Sequence, residues 1–219
     1  MASDINIQPP TQHNIISFDV GIKNLAYMIL HMDCSTHTMT IRAWDILPLV
    51  SDGENANKVG VDTLSTRLYK ALHMLCESYP INYVLIENQP ALKNPVMKTI
   101  QVLIYSFYTY HKVLLQAPIQ PIRLMSATSK LKLGKDIDVT LESEPANKYK
   151  KNKLLGIAYA NYFLPYCQNA ITDEYDVRFQ SHKKKDDLAD AFLQIVAFVK
   201  EQKWMDFATT KNIECVRVS

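Results

Sequence analysis

Ile15-Ile16-Ser17-Phe18-Asp19-Val20-Gly21-Ile22-Lys23-Asn24 is an apolar run that ends on one aspartate and turns at the only glycine of the first fifty residues. A second apolar run, Leu25 to Leu30, follows it. Read physically, a buried strand delivers a carboxylate to its end, and the chain returns as the next strand. A carboxylate held there can bind a metal ion or a nucleotide's metal–phosphate group. Asp beside Gly is also ordinary turn chemistry, so the stretch by itself leaves both readings open.

Leu25 to Met32 and Met39 to Leu47 read as two further strands with Cys34 to His37 between them. These connections are too short for crossovers, which makes the first three strands an antiparallel meander. His31, Asp33 and His37 meet no ligand spacing and read as hairpin residues. Val61 to Tyr79 carries a helical rhythm in Leu64, Leu68, Leu72 (or Ala71) and Leu75, and Pro80 ends it. Ile81 to Glu87 is then a short, nearly continuous apolar strand that also finishes on a carboxylate. An intervening helix of this length fits a right-handed crossover to a strand parallel to the first.

Asn94-Pro95 gives a helix cap followed by proline at the first helical position. The helix runs to about Lys112 with Val96, Ile100, Leu103, Ile104, Phe107 and Tyr108 as its apolar stripe. So many large residues suit either a partner subunit or one fully buried helix. Pro121 to Leu124 is a short strand, and 128–153 is polar and lysine-rich. A helix opening at the second lysine cluster reaches Phe163 with Leu154, Leu155, Ala158 and Tyr162 inward, and Cys167 to His182 reads as a polar loop. The last helix runs from Lys183 to about Trp204 on Leu188, Ala191, Phe192, Ile195 and Val199. The expected class is α/β, a mixed five-stranded sheet made of the meander plus parallel strands and flanked by helices. The expected divisions are a disordered arm over 1–13, one domain over 14–204 and a tail over 205–219.

A chain of 219 residues can close a core without disulfides or a structural metal. Cys34, Cys76, Cys167 and Cys215 form no CxxC pair, which suits free thiols in a reducing, intracellular compartment. No apolar run approaches the ~20 residues of a membrane span. Met1 to Gln12 is polar and contains Pro9-Pro10, unlike a signal or transit peptide. Net charge is +2 but uneven: residues 1–87 carry 5 Lys/Arg against 9 Asp/Glu, and residues 88–219 carry 19 against 13. A basic half beside carboxylates is what an enzyme acting on a polyanion uses; solvated lysine loops look the same in sequence.

The last helix opens Lys183-Lys184-Lys185-Asp186-Asp187-Leu188-Ala189-Asp190. Asp187 and Asp190, three apart, are surface neighbours. At 100° per residue Asp187 borders the apolar stripe and Asp186 falls almost opposite it, so Asp187 is the one expected to face a buried site. Acidic residues in a first helical turn also stabilise the helix dipole. If the two parallel strands are neighbours, Asp19 and Glu87 project from the same sheet end, and the last helix needs only to pack across that end to gather four carboxylates. Such a group repels itself unless cations neutralise it. Hard oxygen ligands suit Mg²⁺ or Mn²⁺. Two such ions would serve an in-line phosphodiester displacement.

Three ordered motifs, Ser17-Phe18-Asp19-Val20-Gly21-Ile22-Lys23-Asn24, Leu85-Ile86-Glu87-Asn88-Gln89-Pro90 and Lys185-Asp186-Asp187-Leu188-Ala189-Asp190, span most of the chain. In order and spacing the chain resembles the ribonuclease H-like resolvase superfamily. Within it the chain looks most like the poxvirus-type Holliday junction resolvases of large DNA viruses, relatives of the bacterial and fungal mitochondrial junction resolvases. The resemblance implies a ribonuclease H-like fold and a homodimeric, Mg²⁺-dependent endonuclease that cuts four-way DNA junctions, with Mn²⁺ able to substitute. Carried over by motif, Asp19, Glu87, Asp187 and Asp190 are the catalytic metal ligands. Lys23, Lys93, Lys98, Lys130, Lys132, Lys150, Lys151, Lys184 and Lys185 are the expected DNA contacts. Asn88 stands where these enzymes often carry a basic residue, which shifts a contact toward Lys93 or Lys98. The segment 128–147 looks like a long insertion. A protein of a cytoplasmic DNA virus would work in the host cytoplasm.

Two other readings remain. An actin- or sugar-kinase-like ATPase also begins with strand–Asp-x-Gly and a hairpin. It needs a second such phosphate segment, and this chain has only Gly21, Gly53, Gly60, Gly134 and Gly156. A non-catalytic nucleic-acid-binding module on the same fold is the other reading. Against it, carboxylates without cations weaken phosphate binding.

Overall fold

The computed structural model describes residues 11–56, 58–92, 94–134, 137, 139–141, 147–169, 174–207 and 216–218. Most of the proposed arm, and Lys93, lie outside them.

Five strands form one sheet: β1 (Gln12–Asp19), β2 (Leu25–Asp33), β3 (Thr38–Leu47), β4 (Tyr83–Glu87) and β5 (Arg123–Met125). Their order is β3-β2-β1-β4-β5. The β1–β2 and β2–β3 pairs are antiparallel, and β1–β4 and β4–β5 are parallel. This is the expected α/β mixed sheet. The β1 strand starts within the stretch read as an arm, since His13 is already buried. In the β2–β3 hairpin, Asp33 accepts from the Ser35 and Thr36 amides at 2.8 and 3.2 Å. His31 Nδ1 meets Asn14 Oδ1 at 2.9 Å, and His37 Nδ1 donates to the Trp204 carbonyl at 2.6 Å. Each of these three side chains is engaged in a hydrogen bond within the protein, Asp33 inside the hairpin and His37 across to a residue far along the chain.

The two sheet faces follow the period-2 alternation of the strands. Ile16, Phe18, Val84 and Ile86 face α1 (Val61–Ser78) and α2 (Pro95–Val113), packing on Leu68, Leu72, Ile104 and Tyr108. Ile15, Met28 and Leu85 face the other layer, which includes α4 (Lys148–Phe163) and α6 (Lys185–Glu201). The α2 helix starts as its sequence dictates, the Asn94 side chain accepting from the Met97 amide beside Pro95.

Four expectations need correction. The lysine-rich stretch after β5 contains a short helix, α3 (Ser129–Leu133), and a strand, β6 (Val139–Leu141). The latter pairs in parallel with β7 (Val216–Val218), in what was read as a tail. The polar stretch after Cys167 contains α5 (Glu174–Ser181), anchored by the buried Phe179 stacked on Trp44 at 4.8 Å. On α4 the fully packed face is Gly156, Ala158, Tyr159, Ala160 and Phe163, while Leu154, Leu155 and Tyr162 are only partly buried. The face is turned because α4 packs on α6, where Gly156 admits close approach.

The α6 helix is buried nearly all round, from Leu188 and Ala189 through Phe198 and Val199. Three polar contacts fix it on the sheet. Ser17 Oγ donates to the Ala191 carbonyl at 2.5 Å, Trp44 Nε1 to the Leu188 carbonyl at 3.0 Å, and Gln194 Nε2 to the Phe18 carbonyl at 3.1 Å. Among the described residues no helix is long and apolar enough to cross a membrane.

Candidate active site

Phe18 lies opposite Ile86 in the parallel pair, so the next residues, Asp19 and Glu87, leave the sheet side by side at one end. Alternation decides their direction. Ser17 meets α6, and Leu85 packs in the layer that contains it. Two residues on, Asp19 and Glu87 therefore also point toward α6. Asp187 and Asp190 come from the first two turns of that helix. All four acids line one open cleft of about 580 Å³.

Each acid has a protein partner. Asp19 shares a hydrogen bond with Glu87. Burial, then the Glu87 and Asp190 charges, hold the Asp19 carboxyl well above the usual carboxylate range, with Lys130 opposing. Gln89 Nε2 donates to Glu87 Oε2. The Gln89 amide in turn donates to Oε1 of the buried Gln101 at 2.7 Å, which also accepts from Lys98 at 3.2 Å. Lys130 pairs with Asp190. Burial raises Asp190 to about 6 despite Lys130, with Glu87 and Asp186 adding to the rise. Asp187 is raised by burial and by Asp186, against Lys184, Lys153 and a hydrogen bond from Asn24.

Asp186 corrects the helical-wheel expectation. It lines the cleft, its side chain is only 16% exposed, and it pairs with Lys153 of α4. Lying one turn before Asp190, it shares that residue's side of the helix. The wheel treats one face of α6 as solvent, whereas α4 covers it. The ion pair with Asp186 raises the Lys153 pKa, and Lys153 Nζ lies 5.0 Å from the ring centroid of Tyr149, a 70% exposed aromatic on the cleft rim.

Of the expected DNA contacts, Lys23, Lys130 and Lys184 line the cleft with the acids. Lys98 is outside the cleft lining, bonded to Asn88 at 3.3 Å and to Gln101. Lys132 lines a separate hollow with Lys200 and Glu201. Lys150, Lys151 and Lys185 lie outside the cleft lining. Sequence reading missed Asn24, Gln89, Gln101, Lys153 and Tyr149 as parts of the site. Gln101 carried a signal, because it is a polar residue four after Met97 and three before Ile104 on a buried stripe.

Among the described residues no three His, Cys, Asp or Glu side chains stand close enough together to cage an ion as they are arranged. The donor set nonetheless suits a hard divalent cation: only carboxylates, with partners a cation can replace. Gln194 Oε1, buried and without a hydrogen-bond partner among the described residues, belongs to a residue lining a small hollow shared with Glu87 and Asp190.

The chain has the ribonuclease H-like fold of the Holliday junction resolvases. It is similar to the fowlpox virus Holliday junction resolvase (TM-score 0.54, 17% identity, 86% of this chain and 99% of that one). It is similar also to the yeast mitochondrial Holliday junction resolvase Ydc2 (TM-score 0.58, 17% identity, 89% and 82%). The fowlpox resolvase is also solved with substrate Holliday junction DNA. In sequence, an uncharacterized protein of Acanthamoeba polyphaga mimivirus is 37% identical over 142 residues, 60% of this chain. The chain spans 32% of that relative's length. No protein-family model matches.

Proposed function

We propose that the chain is a structure-specific endonuclease that resolves four-way DNA junctions with divalent metal ions, in viral DNA processing inside the host cell. The observation that carries this is the register of β1 against β4, which sends Asp19 and Glu87 from one sheet end toward Asp187 and Asp190 of α6. Asp19, Glu87, Asp187 and Asp190 would hold Mg²⁺, with Mn²⁺ able to substitute. When bound, the ions supply the charge that activates a water and steadies the leaving oxygen of a phosphodiester.

The protein's own groups do the rest. Gln89 fixes the Glu87 carboxylate and is itself held by Gln101. Asn24 orients Asp187. Lys23 and Lys184 on the rim draw the phosphate backbone toward the acids. A DNA strand entering this open cleft meets carboxylates at its floor and cations at its edge.

The second half of the reading is a homodimer, which a symmetric four-way junction suits. Val102, Tyr105 and Val113 leave an exposed apolar track along α2, at 53%, 41% and 63% exposure. Burial of that track against a second copy would set two clefts on one junction.

The test is cleavage of a four-way junction and of linear duplex, with and without Mg²⁺. Asp19→Asn and Glu87→Gln are expected to lose at least about a thousandfold in rate, the scale of several kcal/mol of charge stabilisation, while junction binding persists. Wild-type rates in Asp19→Asn would remove the metal-site assignment. Equal cutting of duplex and junction would keep the nuclease and remove the resolvase.

A further inference from the structure

Lys130 occupies an unusual place for a lysine expected to touch DNA. Its side chain is 17% exposed and pairs with Asp190, itself 22% exposed. It lines both the open cleft and the small hollow behind it, which also holds Glu87 and Gln194. Asp190 has Glu87 and Asp186 as acidic neighbours, so a cation at this point relieves repulsion among three carboxylates.

We propose that Lys130 is a resident counter-ion, holding Asp190 until a divalent cation takes its place and then turning to a phosphate of the bound nucleic acid. The inference rests on the metal-dependent nuclease reading above. A divalent cation at Asp190 repels an ammonium in contact with the same carboxylate. The four-carbon stem of lysine lets the charged head move without a backbone change. The cleft into which it would move is open and already rimmed by Lys23 and Lys184, where phosphate oxygens would lie. Metal loading and substrate binding are then coupled through one side chain.

Lys153 provides the internal comparison. It lines the same cleft and pairs with Asp186, which is outside the four motif acids. Removing it takes away the same charge from the same cleft without freeing Asp190.

The experiment is Mn²⁺ binding to the full chain by calorimetry without DNA, on wild type, Lys130→Met and Lys153→Met, with Lys130→Gln in reserve if the first does not fold. Lys130→Met is expected to bind Mn²⁺ roughly tenfold tighter than Lys153→Met does, the scale of one charge-assisted hydrogen bond that no longer competes. Equal tightening in both, or none, overturns the counter-ion while leaving the nuclease reading intact. A wild type that takes up no Mn²⁺ at millimolar concentration overturns both. In a second measurement, Ca²⁺ in place of EDTA should tighten junction binding by the wild type and not by Lys130→Met. An equal gain in both, or none in the wild type, overturns the transfer to phosphate.

Discussion

Ser17 Oγ donates to the carbonyl oxygen of Ala191 at 2.5 Å, joining residues 174 positions apart in the buried interior. Ser17 stands two residues before Asp19 on β1, and Ala191 follows Asp190 on α6. The bond therefore sets the height and rotation of the helical acids above the strand acids.

Removing it should loosen both fold and site. Ser17→Ala is expected to cost about 1–3 kcal/mol, because a buried carbonyl loses a partner. The urea midpoint reads that cost, and junction cleavage under folding conditions should fall with it. An unchanged midpoint would mean that Trp44 and Gln194 suffice to seat the helix.

Gly21 permits a close approach. A Cβ there would lie 2.4 Å from the Asn24 carbonyl oxygen, a backbone atom that cannot rotate away. Gly21→Ala must open the turn and move Asn24, which holds Asp187. The expected result is a loss of about 1–3 kcal/mol in stability and a larger loss of cleavage than equally destabilised core variants suffer. Full activity in Gly21→Ala would dissociate the turn from the site.

The pH dependence has a definite sign. Burial raises Asp190 to about 6, above the ~3.9 of an unfolded aspartate. Asp19 is raised too, chiefly by burial. Between those two values the folded chain binds more protons than the unfolded one, so this contribution to stability falls as pH rises through the window. Lys130, which opposes the rise at Asp190, limits the loss. A divalent cation needs the ionised acids, so Mg²⁺ should raise the melting temperature more at neutral pH than at pH ~5, and its binding should release protons. Thermal melts across pH, with and without Mg²⁺, measure this. A Mg²⁺ increment independent of pH would contradict it.

The α2 track should control assembly. Val102→Glu combined with Tyr105→Glu places two charges on an exposed face, so the fold should tolerate them while a dimer should not. Sedimentation of both proteins is the check, with wild type expected as dimer and the variant as monomer. A monomeric wild type at working concentration would remove the α2 interface.

What could be read from the chain follows from local rules. Asp19 and Glu87 were legible because each ends a buried strand, and the connection lengths dictated which strands run parallel. The α2 cap was legible in Asn94-Pro95. By contrast, α5 was not, since its packed anchor is largely Phe179 in a polar stretch, and that anchor acquires meaning only against Trp44. Gln101 stood out as a polar residue on a buried stripe, but its partner Gln89 was silent, because a hydrogen bond between a strand exit and a helix twelve residues on depends on how the two meet.

The sequence by itself determined that three strands make a meander, that a fourth fits a course parallel to the first, and that a carboxylate ends each of those two strands. That the two strands are neighbours came from the sheet order. Periodicity and chain length impose the strands and their carboxylate ends locally. Only the tertiary structure decided which face of α6 meets those carboxylates. A helical wheel assumes one wet side, and α6 lies between the sheet and α4 with almost none, so Asp186 is turned into the cleft and paired with Lys153. For the same reason Lys130, which sequence reading put on DNA, rests on Asp190. Long-range packing sets which charges meet, and no local spacing encodes it.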